Sequence, residues 1–186
     1  MDTRDALLDS AEQLVRSRGF DAISYADLSH EVGIRKASIH HHFPAKADLA
    51  LALIKRYRTH FDEVLERIAD EAPTGGARLD GYLDAYRAAL KGGCAVCLCV
   101  ALSAGRDSFS DPVLAELNAF NESSMRWLRE TFEVGLEDGS IRDVATPIDE
   151  AAGALAVVEG AQLIARAAGD VAHYDAATAL LRGRAS

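Results

Sequence analysis

A chain of 186 residues that is 49% hydrophobic can bury a core and form one large or two small domains. Its net charge of -9 argues against an indiscriminate nucleic-acid coat, and three cysteines crowded at Cys94, Cys97 and Cys99 argue against a disulfide framework. The first twenty residues are amphipathic with no apolar leader, and the weakly polar run Cys94 to Gly105 falls short of the roughly 20 residues of a bilayer span, so a soluble cytoplasmic protein with no membrane partner is expected.

Almost every segment reads as helix. Leu7, Leu8, Ala11, Leu14 and Val15 follow the amphipathic template, Gly19 ends that element, and Phe20 and Ile23 return to cover its core. Ser24 followed by Asp27 has capping-box character, which starts a second helix at Tyr25 and runs it to Val32 with Leu28 and Val32 inward. Gly33 suits the left-handed conformation of a sharp turn, with Ile34 tucked into the angle. A third helix follows from about Lys36 to Phe43, closed by Pro44. Its inner face is Ile39 and Phe43, leaving Arg35, Lys36, Ala37, Ser38, His40 and His41 toward solvent or a groove. Helix, glycine turn and short helix make a helix-turn-helix, and a small, polar, basic outer face suits a DNA major groove.

The run Gly33 to Leu49, G-I-R-K-A-S-I-H-H-H-F-P-A-K-A-D-L, resembles the signature of TetR-like transcriptional repressors, and the resemblance covers residues 4 to 50. It implies that Ser38, His40 and His41 contact phosphates or bases, that Lys36 and Ala37 face the groove, and that Lys46 lies at the next helix start against the DNA backbone. Ser24, Tyr25 and Arg35 complete the candidate DNA-binding set. The family most often has tyrosine where this chain has His40, and an imidazole N–H can also donate to a phosphate, more strongly when charged. Three consecutive histidines point about 100 degrees apart on a helix and do not converge on one metal ion.

The next helix begins near Ala45 and carries Ile54, Tyr57, Phe61, Val64 and Ile68 to about Ala69. Pro73-Thr74-Gly75-Gly76 reads as a break, followed by a helix from about Ala77 to Leu90 and a second break at Gly92-Gly93. Cys94 to Ala104 reads as a short apolar helix, Asp111-Pro112 opens a long one ending near Gly139, Thr146-Pro147 opens another to about Gly169, and Tyr174 to Leu181 closes the chain. The expected fold is all-α: a three-helix DNA-binding domain over residues 1–45 and a larger regulatory and dimerisation domain over 46–186. Residues 1–60 carry nine basic and eight acidic side chains, whereas 61–186 carry eleven and twenty-one, so positive charge is confined to the first part. Small residues along Ile148 to Ala168, with Leu155, Val158, Leu163 and Ile164, suit half of an isologous four-helix interface, hence a homodimer.

Three readings of the cysteines stand open. On a helix opening after Gly92-Gly93, Cys94 and Cys97 would share a face at the positive end of the dipole, where a thiol suits redox or electrophile sensing. The segment from Cys97 to Ala104 also resembles the NemR-type, electrophile-sensing members of the family, with Cys97 on their reactive position. Alternatively all three are small core residues, or Cys94, Cys97 and Cys99 hold a soft metal. An apolar effector pocket, with Tyr86, Phe109 and Trp127 among its walls, is compatible with the first two. No nucleophile with its base, phosphate loop or metal set is recognisable, so neither an enzyme nor a cofactor is expected, and an adaptor would leave the helix-turn-helix without a purpose. The expectation is a regulator of double-stranded operator DNA, released by a small molecule or by cysteine modification.

Overall fold

The structure, a computed structural model, describes residues 2–103 and 105–185. Its elements are α1 (Thr3–Arg18), α2 (Tyr25–Val32), α3 (Lys36–His42), α4 (Lys46–Glu71), α5 (Gly75–Ala89), α6 (Leu98–Ser103), α7 (Asp111–Glu137), α8 (Pro147–Ala168) and α9 (Ala172–Arg182). The described residues contain no β-strand, and the fold is all-α with an N-terminal three-helix helix-turn-helix.

Packing divides the chain into two compact units. One holds Met1–Thr59 with Leu98–Ala119, the other His60–Cys97 with Phe120–Ser186, so the divisions fall inside α4 and α7. The first unit reaches beyond the recognition motif because the start of α4 contributes Leu49, Ala50, Leu53 and Ile54, all fully buried. Arg56 ties this half of α4 to α1 through Asp9 at 2.8 Å and Glu12 at 3.2 Å.

In that unit α1 buries Leu7, Leu8, Ala11, Leu14 and Val15, and Phe20 and Ile23 close over them. The capping box of α2 is complete: Ser24 Oγ accepts from the N–H of Ala26 and Asp27, while Asp27 accepts from the Ser24 N–H. The Ser24 hydroxyl, its N–H and related local bonds hold the Asp27 carboxyl below the usual range. Gly33 turns the chain at φ 73° and ψ 29°, a conformation that a side chain strains. α3 ends at His42, with Phe43 just beyond it and still buried.

In the second unit the predicted break at Gly75-Gly76 is instead the first turn of α5. Thr74 caps it, and the two glycine N–H groups are satisfied from outside the helix, by Asp138 at 2.9 Å and Ser140 Oγ at 2.7 Å. Gly75 is required by close approach: a Cβ there would lie 2.2 Å from the Gly135 nitrogen on α7. Tyr174 donates to the Leu83 carbonyl at 2.9 Å, and Arg87 grips Asp175 with two bonds of 2.6 and 2.8 Å, fastening α9 to α5.

The predicted helix over Cys94 to Ala104 is shorter than expected. Lys91, Gly92 and Gly93 all take positive φ, the Gly93 and Ala95 N–H groups both turn back to the Leu90 carbonyl, and regular helix begins only at Leu98; Ala104 lies outside the described residues. Cys94 and Cys97 therefore share no helical face.

α8 runs from Thr146, its capping residue, to Gly169. It is longer and more apolar than the Cys94 to Gly105 run singled out from sequence, and by length and composition alone it is able to cross a membrane, with a mean hydropathy of 1.3 over its most apolar window. Its inner face is buried through Ala151, Ala154, Leu155, Val158, Ala161 and Ala165, while Ile148, Val157, Leu163 and Ile164 remain exposed.

Candidate nucleic-acid interface and interior polar cluster

α3 is anchored from beneath. Ile39 is fully buried and Phe43 nearly so, and the Tyr25 hydroxyl donates to the Phe43 carbonyl at 2.8 Å, tying the start of α2 to the end of α3. At the turn, Ser29 Oγ donates to the Ile34 carbonyl at 2.5 Å and the Ile34 N–H donates to the Ser29 carbonyl at 3.2 Å. With its inner face fixed, α3 presents Arg35, Lys36, Ala37, His40 and His41 as exposed residues and Ser38 as half-buried. Among the described residues neither Arg35 nor Lys36 forms an ion pair, and no acid stands between Gly33 and Ala47, so this surface is locally positive.

His40 is more constrained than its exposure suggests. Its ring meets the Tyr25 ring edge-on at 4.9 Å, and its Nδ1 lies 3.3 Å from the Pro44 carbonyl. A carbonyl only accepts, so this contact places the proton on Nδ1. In the neutral ring Nε2 is then a lone pair, and it becomes a donor to phosphate only on protonation. Burial and then the Asp48 charge push the Tyr25 phenol up, keeping its proton on the Phe43 contact.

Lys46 is occupied within the fold. Its ammonium donates to the Phe20 carbonyl at 2.7 Å and sits 4.5 Å from the centre of the Phe20 ring. The Ser24 hydroxyl is likewise engaged by the α2 cap, so these two expected DNA-facing residues shape the ends of helices through contacts that sequence spacing does not reveal.

The regulatory candidates do not form one cluster. Phe109 lies in the first unit against Phe20, with ring centres 5.1 Å apart. Tyr86 and Trp127 lie in the second, on either side of Tyr82, whose ring stacks on Trp127 at 5.6 Å and meets Tyr86 at 4.9 Å. Cys94 is exposed, whereas Cys97 and Cys99 are each 1% exposed. Gln162, fully buried on α8, joins Cys97 to Tyr86: it accepts from the Cys97 N–H at 2.7 Å and donates to the Tyr86 carbonyl at 2.7 Å. The hydroxyls of Tyr82, Tyr86 and Ser124 are buried without a hydrogen-bond partner of good geometry in the chain. Burial pushes both phenols far up, and it holds the Glu159 carboxyl above the usual carboxylate range. Among the described residues no three His, Cys, Asp or Glu side chains converge as metal ligands.

Residues 7–53 match the family described as bacterial regulatory proteins, tetR family. Over nearly its whole length the chain is similar to a solved TetR-family transcriptional regulator from Agrobacterium tumefaciens, at 32% identity and a TM-score of 0.92, covering 98% of this chain and 97% of that one. The HTH-type transcriptional repressor NemR of Escherichia coli strain K12 is 27% identical over 171 residues, which is 89% of this chain and 84% of that protein. The crystal structure of E. coli NemR in its reduced form superposes with a TM-score of 0.82 at 25% identity, covering 100% of this chain and 98% of that one.

Proposed function

This chain belongs to the TetR family of bacterial regulatory proteins and is a transcription regulator, and from that premise we propose that it represses transcription as a homodimer on a pseudo-palindromic operator. Each subunit would set α3 in one of two successive major grooves. The observation that carries this reading is the pairing of an anchored inner face on α3 with an outer face of short, polar and basic side chains free of acids. Arg35, Lys36, Ala37, Ser38, His40 and His41 are the groove and phosphate contacts, with Tyr25 holding His40 and with Ser24 and Lys46 at the flanking helix starts. Residues 1–45 form the DNA-binding domain, and residues 46–186 the effector-binding and dimerisation domain, acting in the cytoplasm where the DNA lies.

The dimer reading is supported by the outer face of α8. Gly153, Ala156, Val157, Leu163, Ile164 and Ala167 are exposed along one side of the helix, with half-buried Gly160 between them. A Cβ on Gly153 or Gly160 would meet nothing within 4 Å inside the chain, so these glycines serve no packing need of a single subunit. A second copy of the same face needs them small.

Release from DNA is assigned to a small-molecule effector in the larger domain or to modification of a cysteine. Linkage requires the effector to bind the DNA-incompatible state more tightly, so operator DNA weakens effector binding by the same factor. For the thiol route Cys97 is the candidate: any atom added to its buried sulfur must displace the surroundings of the Cys97–Gln162–Tyr86 link. Exposed Cys94 is the first thiol a reagent meets. The deciding experiment is a duplex-binding and footprinting assay with the region upstream of the chain's own gene and with a selected pool of palindromes. Specific protection of two half-sites about one helical turn apart is expected, and failure to bind either DNA sinks the regulator reading. In the same assay Cys97→Ser should bind normally and resist release by hydroperoxide; normal release from that variant removes Cys97 from the mechanism.

A further inference from the structure

We propose that the cleft between the second half of α4 and α7 binds an organic cation, a small molecule with a positively charged head on an apolar body. The inference rests on the reading of residues 46–186 as an effector domain and names the chemistry of what that domain takes. The cleft has a volume of about 360 Å³, which lies within the range of small-molecule sites. Asp62, Glu66 and Glu130 supply three carboxylates to its lining against the single guanidinium of Arg126, and Trp127 and Leu65 supply its apolar wall. An aromatic face beside excess carboxylate attracts a cation through the ring quadrupole and through charge, and disfavours an anion. The surrounding charge acts in the same sense, since residues 61–186 carry eleven basic and twenty-one acidic side chains.

The groups next to this wall add a second, independent observation. Trp127 stacks at 5.6 Å on Tyr82, and the fully buried hydroxyls of Tyr82 and Ser124, with that of Tyr86, lack a hydrogen-bond partner in the chain. Buried polar atoms without partners are uncommon in folded proteins, and three together beside one indole are a feature of a site that binds something. Their hydroxyls can accept from or donate to a polar substituent on the ligand body, whereas Asp62, Glu66 and Glu130 act on the charged head.

Trp127 is the one tryptophan of the chain, so its emission reports on this cleft directly. The full-length protein is titrated at pH 7.5, with excitation selective for tryptophan, using benzyltrimethylammonium, its near-isosteric neutral alcohol 2-methyl-1-phenyl-2-propanol, and the anion phenylacetate. Saturable change with the ammonium compound, binding about tenfold weaker or less for the alcohol, and no saturation with phenylacetate are expected. In a Glu66→Gln, Glu130→Gln double variant the preference for the cation over the alcohol should shrink by about tenfold. Equal binding of cation and alcohol, or a preference unchanged in the double variant, overturns the proposal. Operator binding is measured on the same preparations. A protein that binds operator but ignores the cation refutes the inference and leaves the regulator intact, whereas cation selectivity without operator binding refutes the regulator and leaves the cleft.

Discussion

His40 shows how one side chain changes the behaviour expected of a DNA contact. Its Nδ1 proton is directed at the Pro44 carbonyl, so only the protonated ring offers Nε2 as a donor to phosphate. Histidine changes charge between pH 5 and 8, and operator affinity should therefore rise by about tenfold from pH 8 to pH 6 at fixed salt for a dimer with two such contacts. His40→Phe, which keeps a ring against Tyr25, should flatten that response. A response that persists in the variant moves the contact to His41. Glu159 gives a second prediction at this scale. Burial raises its folded-state carboxyl, so the folded protein holds that proton more tightly than the unfolded chain does, and the charged form costs stability once pH exceeds both values. Glu159→Gln should raise the melting temperature at pH 7, with the gain fading by about pH 4, where the carboxyl is protonated in either state. A lower melting temperature at pH 7 would mean that the carboxylate has a stabilising partner.

At the scale of elements, what matters is why the helices begin and end where they do. Ser24 and Asp27 are three residues apart in sequence and bond each other locally, so the start of α2 was legible without any tertiary information. Gly75 and Gly76 carry the opposite lesson. Read locally they break a helix, yet the groups that satisfy their N–H donors are Asp138 and Ser140, more than sixty residues away, and no local pattern reveals them. Gly75→Ala should destabilise the protein by about 1–3 kcal/mol, because the added carbon would stand against the backbone of Gly135 rather than a movable side chain. Thermal unfolding should show this as a fall of several degrees, and an unchanged midpoint would mean that α5 and α7 separate at no cost. The cysteine segment follows the same logic: the positive φ values of Lys91, Gly92 and Gly93 delay the helix to Leu98, which removes Cys94 and Cys97 from the helix start assigned to them from spacing.

For the whole molecule, the segregation of charge sets how it meets DNA. With positive potential confined to the α3 face of an acidic chain, binding depends on a few placed contacts in each subunit, and two subunits are needed to combine them. Ile164→Glu places a charge on the exposed apolar face of α8. It should convert the protein to monomers in sedimentation and lower operator affinity by about a hundredfold or more, with the helical content retained. Gly160→Leu should do the same by bulk. In a chain that works as a monomer, Gly160 faces open space and its replacement by a better helix former would be neutral or stabilising, so the sign of the effect separates the two states.

The amino-acid sequence by itself determined the helical class, the helix-turn-helix over Ser24 to Pro44 and the confinement of positive charge to it, because caps, turns and amphipathic spacing are set by residues within a few positions of one another. Tertiary structure alone decided that Lys46 serves Phe20, that His40 is held by Tyr25 and Pro44, that Gln162 links Cys97 to Tyr86, and that Asp62, Glu66 and Glu130 gather around Trp127. Most of these groupings join different helices, and none follows from the periodicity that defines a single one. The physical reason is that a side chain's periodic position fixes which face of a helix it occupies, whereas its partner depends on which other helix packs against that face.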